Sequence, residues 1–234
     1  MMYLKFVVSG GFKRSVALVA LSASLFLQTS DSHAFVYEFR DVYDGATPQA
    51  PPPWLVAELD DLGPGSVQLK IATPSLGAVE NLRGLYLNLN PNYDSRHLTF
   101  QFAGTTGLFS LPDISTGTDA FKAGGDGLYD LLFTFATQQN DAVRFGAGDG
   151  LTVNISGIPG LVAADFAFLS TPAGGWGPFY AAAHVQRIGA GSESGWIYPE
   201  DGPIVAPVPE PSSLALIGLG ALGVFLRRAS ARAK

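Results

Sequence analysis

Three stretches of the chain alternate apolar and polar side chains with a period of two, and that alternation constrains the fold more than any other feature. In SVQLKIA, Val67, Leu69 and Ile71 are separated by Gln68 and Lys70. In HLTFQFA, Leu98, Phe100 and Phe102 alternate with Thr99 and Gln101; in GLTVNIS, Leu151, Val153 and Ile155 alternate with Thr152 and Asn154. Successive side chains of a strand leave on opposite faces, so each stretch reads as a strand with one face in a core and the other in water. Less regular runs with the same reading lie at 36–39, 54–59, 85–90, 128–136, 165–170 and 179–188. Segments dense in Gly, Pro, Asn and Asp separate them, among them DGATPQAPPP, LGPG, NPNYDS, KAGGDG and TPAGGWGP. No part of this body sustains a period of 3.6. The expected class is all-β, an antiparallel sandwich or jelly roll formed by residues 35–198.

The chain has no cysteine, so disulfides, thiolate metal sites and cysteine nucleophiles are excluded, and the body relies on its own core. Residues 35–210 hold seven Lys or Arg against 19 Asp or Glu, a net charge of −12. Such a surface repels phosphate backbones, which argues against nucleic-acid binding. It is compatible with divalent cations or neutral glycans.

Both ends carry a different composition. Lys5, Lys13 and Arg14 precede the apolar run Val16–Leu27, and Ser32 and Ala34 put small residues at the cleavage-determining positions. Residues 1–34 therefore read as a secretory signal peptide cut before Phe35. After the body, residues 199–211 read as an extended, proline-rich linker. Residues 212–226 are apolar and, as a helix, rise about 22 Å against a hydrocarbon core of about 30 Å. They read as a single short transmembrane helix. Gly218, Gly220, Ala221 and Gly223 give it a small-residue face. The basic tail 227–234 places Arg227 and Arg228 at the cytoplasmic side as a membrane stop.

The order Val208, Pro209, Glu210, Pro211, Ser212, then the apolar GLGALG segment, then Arg227 and Arg228, closely resembles the PEP-CTERM sorting signal of exopolysaccharide-producing Gram-negative bacteria. The resemblance implies recognition by exosortase, a membrane cysteine protease, with cleavage near residues 209–211. It also implies a transient inner-membrane tether, followed by release to the cell surface or extracellular matrix as a structural or adhesive component linked to exopolysaccharide. Physically the tail is a removable address. The span 119–196 resembles a body type that recurs among such proteins and has no assigned activity.

Within the body, Asp126, Gly127 and Asp130 resemble the second half of a D-x-D-G-x-x-D calcium loop, which surrounds a hard cation with carboxylate oxygens. Gly124 stands at the first acidic position, with Asp119 as a nearby substitute. A turn leading into a strand uses the same residues. His97 opens a strand, and alternation puts His184 on the face of Gln186, as a partly exposed strand histidine. No G-x-S-x-G elbow accompanies them. The expectation is a protein that is not an enzyme. Trp54 and Trp176, at loop or strand edges, offer rings that stack on sugars or seal the ends of a sandwich core. A glycan-binding module is the alternative function, ahead of a polysaccharide-active enzyme.

Overall fold

Val67, Leu69 and Ile71 stand opposite Ile155, Val153 and Leu151 in one antiparallel ladder, and all six side chains are buried. The two most regular alternations in the sequence are thus neighbouring central strands that share an inward face. Around them a computed structural model describes residues 34–125, 127–137, 143–190 and 193–205. Residues 1–33 of the expected signal peptide, Asp126, the expected transmembrane segment, Arg227, Arg228 and the motif from Val208 to Ser212 lie outside the described residues.

The strands are β1 (Ala34–Phe39), β2 (Asp41–Gly45), β3 (Leu55–Gly63), β4 (Ser66–Ala72), β5 (Asn81–Leu87), β6 (Thr99–Thr106) and β7 (Asp113–Lys122). They continue with β8 (Leu128–Thr134), β9 (Phe145–Gly146), β10 (Gly150–Ser156), β11 (Ala181–Ile188), β12 (Glu193–Tyr198) and β13 (Ile204–Val205). One sheet runs β13-β1-β3-β4-β10-β6 and the other β2-β12-β11-β5-β8-β7, with the short β9 also paired to β5. Every named pairing is antiparallel. The body is the antiparallel sandwich that the alternation predicts. Among the described residues no helix is long and apolar enough to cross a membrane.

The inner faces meet in a core that includes Tyr37, Phe39, Leu59, Leu69, Leu85, Phe133, Phe145 and Val185, all fully buried. Burying one such side chain stabilises the fold by about 1.5–3 kcal/mol, and in a chain without cysteine this core holds the two sheets together. Trp54 belongs to the same core. It is 4% exposed, and its indole N–H donates to the Ala50 carbonyl at 2.5 Å. A buried ring presents no face to a sugar, so the stacking expectation fails at Trp54 and its core-sealing role holds.

Three local expectations are corrected. The run 165–170 forms no strand; Ala163–Phe166 is a 3-10 turn, because the Asp165 carboxylate accepts from the Val162 N–H and from Asn90 Nδ2. Such local side-chain bonds compete with a ladder. Beyond Phe100 the alternation of β6 also fails: β6 is the edge strand of its sheet, Phe102 is exposed although it still pairs with Val153, and a bulge then shifts the register between Phe102 and Gly104. Finally, the expected linker contributes β13, which pairs with β1.

Candidate functional site

The outer face of the seven-stranded sheet departs from the simple sandwich rule, because it is aromatic where water is expected. Tyr43 on β2, Trp196 and Tyr198 on β12, Ala182 on β11, Tyr86 on β5 and Tyr129 on β8 form a second apolar cluster with Ala123 and Phe179. Ring centroids lie 5.5 Å apart for Tyr86–Trp196, 5.8 Å for Tyr86–Tyr129 and 4.1 Å for Phe179–Tyr198. The sequence carried a signal for this. Leu85-Tyr86-Leu87 and Trp196-Ile197-Tyr198 are large and apolar at every position, the pattern of a strand covered on both faces.

Two connections lie over this face. The β7–β8 connection is held by Tyr43, whose hydroxyl donates to the Ala123 carbonyl at 3.2 Å. Gly124 in that connection has φ +55°, and a Cβ there would stand 2.9 Å from Nε1 and Cε2 of Trp196. The left-handed backbone and the indole together require glycine at this position. The second connection, from Thr171 to Pro178, is pinned at its base by Ser170 N–H to Phe179 O (2.9 Å) and Phe179 N–H to Ser170 Oγ (3.2 Å). Asn88 Nδ2, buried beneath it, donates to the carbonyls of Phe168 and Tyr180 at 3.0 Å each. At the tip, Gly175 N–H donates to Gly125 O at 3.0 Å. The loop so fixed carries Trp176 over Gly125 with 52% of its surface exposed.

Beside Trp196 stands His184, its register partner on β11, with ring centroids 4.3 Å apart and planes 4° from parallel. Alternation places His184 on the outer face, as expected, but the residue is 8% exposed. Burial, followed by the nearby Arg83 guanidinium, holds its pKa down at about 4. The imidazole is therefore neutral at neutral pH. His97 lies elsewhere, exposed at the end of a 3-10 turn, so the structure does not bring the two histidines together. Next to His184, Gly84 leaves a gap in the face, and Tyr86 lies against it. A cleft of about 240 Å³ opens there, bordered by Arg83, Lys122, Leu132, Thr134, His184 and Trp196.

Asp130 is half-buried, and each carboxylate oxygen accepts a backbone N–H: Oδ2 from Leu89 at 2.9 Å and Oδ1 from Asp119 at 2.8 Å. Burial raises its pKa, and the two amide donors oppose that rise. Asp130 thereby supports the bulge where four residues of β7 oppose Asp130 alone on β8, between the pairs Thr116–Leu131 and Phe121–Tyr129. Among the described residues no group of three or more His, Asp or Glu is placed to hold a metal ion. Asp126, the other expected calcium ligand, lies outside those residues.

The strand β13 ends at Val205, and residues 207–229 match the family model described as the PEP-CTERM protein-sorting motif. The chain carries a PEP-CTERM sorting signal. The motif marks an exported protein that exosortase recognises and processes at the membrane. It contains Val208, Pro209, Glu210, Pro211 and Ser212 together with Arg227 and Arg228. In this chain the sandwich and the sorting signal are separated by a single residue, Ala206. No curated protein and no solved structure matches the chain.

Proposed function

We propose that the body of this PEP-CTERM protein acts outside the inner membrane as a non-catalytic structural and adhesive component of the cell surface or extracellular matrix, linked to exopolysaccharide through a glycan-contact surface around Trp176. The observation that carries this reading is the presentation of Trp176: a large ring, half in solvent, on a loop whose base and tip are both hydrogen-bonded. A flat indole fixed in this way stacks on the apolar face of a sugar with little ordering cost on binding. Further aromatic rings packed beneath the loop keep the platform rigid.

Two measurements test the reading. Intact-mass analysis of the protein from its own host, with and without exosortase, tests delivery. A surface-located protein shortened at both ends supports it, whereas one still carrying Leu214 to Lys234 in both strains defeats it. Glycan arrays probed with the full-length chain and its Trp176→Ala variant test the contact surface. Absence of any glycan signal removes the adhesive reading, and turnover of the native polysaccharide dependent on a specific Asp or Glu would replace it with an enzymatic one.

A further inference from the structure

The seven Lys and Arg of the body are used unequally. Arg40 pairs with Glu38, Lys70 bridges Glu58 and Asp60, and Arg96 pairs with Asp94. Arg144 donates to Asn81 and to the Thr137 carbonyl, and Arg187 also has a partner. Arg83 and Lys122 remain: among the described residues neither side chain has a hydrogen bond or ion pair. In a body of net charge −12, carboxylates to pair with are abundant. Both unpaired cations nevertheless border the same aromatic cleft beside His184 and Trp196.

We infer that this cleft is a subsite for a carboxylated sugar, a hexuronate unit of an acidic polysaccharide, with the carboxylate held by Arg83 and Lys122 and the ring against His184 and Trp196. The inference rests on the glycan-contact reading above and names the chemistry it selects. A guanidinium on β5 and an ammonium on β7, bordering one cleft from either side of β8, suit a single carboxylate. Apolar ring edges and a neutral imidazole suit the C–H and hydroxyl groups of a pyranose, and the cleft is of single-residue size. The cleft also lies close to the exposed indole. Lys122 lies three residues from Gly125, over which Trp176 sits, a reach of at most about 10 Å. One sugar in the cleft and a neighbour on Trp176 therefore lie within a short saccharide. The surrounding negative field opposes a densely charged phosphodiester chain, whereas a polymer with isolated carboxylates meets it only at the two cations.

Calorimetric titration of the full-length chain in detergent tests this, using trigalacturonate, a neutral galactose trisaccharide and inorganic phosphate as probes. Trigalacturonate is expected to bind at least about tenfold more tightly than the neutral trisaccharide, with that preference lost in Arg83→Gln/Lys122→Gln and in about 1 M salt, where the Debye length is about 3 Å. Both side chains are exposed, and an unchanged melting temperature confirms that the double variant is folded. Equal affinity for the two trisaccharides, abolished by Trp176→Ala, would overturn the carboxylate subsite and leave the glycan-contact reading standing. No saccharide binding in any arm would overturn both. Phosphate binding without trigalacturonate binding would reduce the cleft to a simple anion site and overturn the inference.

Discussion

Phe35 and Val205 are antiparallel partners at one edge of the six-stranded sheet. Phe35 is the first residue after the expected signal-peptide cut, and Val205 lies two residues before the sorting motif. The two ends of the body therefore leave from one sheet edge, and β13 covers part of the backbone that β1 would otherwise expose. Phe35 is 4% exposed and its ring meets Tyr37 edge-on at 5.4 Å. Phe35→Ala is expected to cost about 3 kcal/mol, the usual penalty for emptying a core aromatic site. Ile204→Lys, at a half-exposed position on the same edge, is expected to stay within about 0.5 kcal/mol. Urea unfolding of the full-length chain separates them, and an unchanged midpoint for Phe35→Ala would mean that β1 is not anchored.

The two tryptophans singled out in the sequence are expected to behave oppositely. Trp54→Ala empties a buried site and removes the donor to Ala50, so stability falls by about 3–5 kcal/mol. Trp176→Ala removes a ring that is half in solvent, so stability changes by about 0.5 kcal/mol or less while glycan retention is lost. Melting curves and retention on a polysaccharide column read the two effects independently. A Trp176→Ala protein that melts much earlier would make that ring a lid for the aromatic cluster.

His184 ties stability to pH. Its folded pKa, about 4, lies below the ordinary value of 6.5, first because of burial and then because of Arg83. Below pH 6.5 the unfolded chain takes up a proton that the folded chain refuses, so stability falls as pH falls from 6.5 towards 4 and the loss levels off below that. The whole shift corresponds to up to about 3 kcal/mol. In His184→Gln this component of the slope disappears, whatever the variant's stability at pH 7. Urea midpoints for both proteins between pH 7 and pH 4 decide the matter, and parallel curves would show that His184 is protonated in the fold.

Strand positions were readable wherever one face meets core and the other water, as at Val67, Leu69 and Ile71, because burial then imposes the period directly. The period fails where that condition fails. β2, β7 and β12 escaped detection for local reasons. DVYDG sits beside a turn-rich run, DISTGTDAFK is a polar edge strand with a bulge, and ESGWIY packs large rings on the face assigned to water. Those three strands supply Tyr43, Lys122, Trp196 and Tyr198, so much of the candidate site lay in elements that alternation does not reveal. Trp176 was legible as a loop aromatic. The convergence of Arg83 and Lys122 was not, since it depends on β5 and β7 flanking β8 in the sheet. The sorting signal was legible because it is read by chain order alone.

Asp130 is expected to act as an acceptor for two amides. Asp130→Ala leaves the N–H groups of Leu89 and Asp119 without their partner, a loss of about 1–3 kcal/mol. Melting the wild type and the variant with and without a calcium chelator separates this role from ligation. The same loss in both conditions supports the clamp. A loss that vanishes in chelator would transfer the residue to a cation site, because a ligand bound only to the folded chain must raise stability.

Gly124 gives the sharpest contrast between motif and packing. Placing Asp there would supply the missing first carboxylate of the D-x-D-G-x-x-D pattern. The backbone, however, is left-handed at φ +55°, and the first side-chain carbon would meet the Trp196 indole at 2.9 Å. The left-handed conformation costs a non-glycine residue about 1–2 kcal/mol, and crowding a packed site adds about 1–3 kcal/mol. Gly124→Asp is therefore expected to destabilise the chain by about 2–5 kcal/mol and to shift Trp196 fluorescence to the red as the ring is pushed towards water. Gly124→Ala should show most of the same loss without adding charge, which assigns the effect to the backbone and the indole. Calcium should restore neither variant. Should Gly124→Asp instead melt higher in calcium than the wild type does, the connection over Trp196 would be a cation loop short of one ligand, and glycine would stand there for a reason other than the ring beneath it.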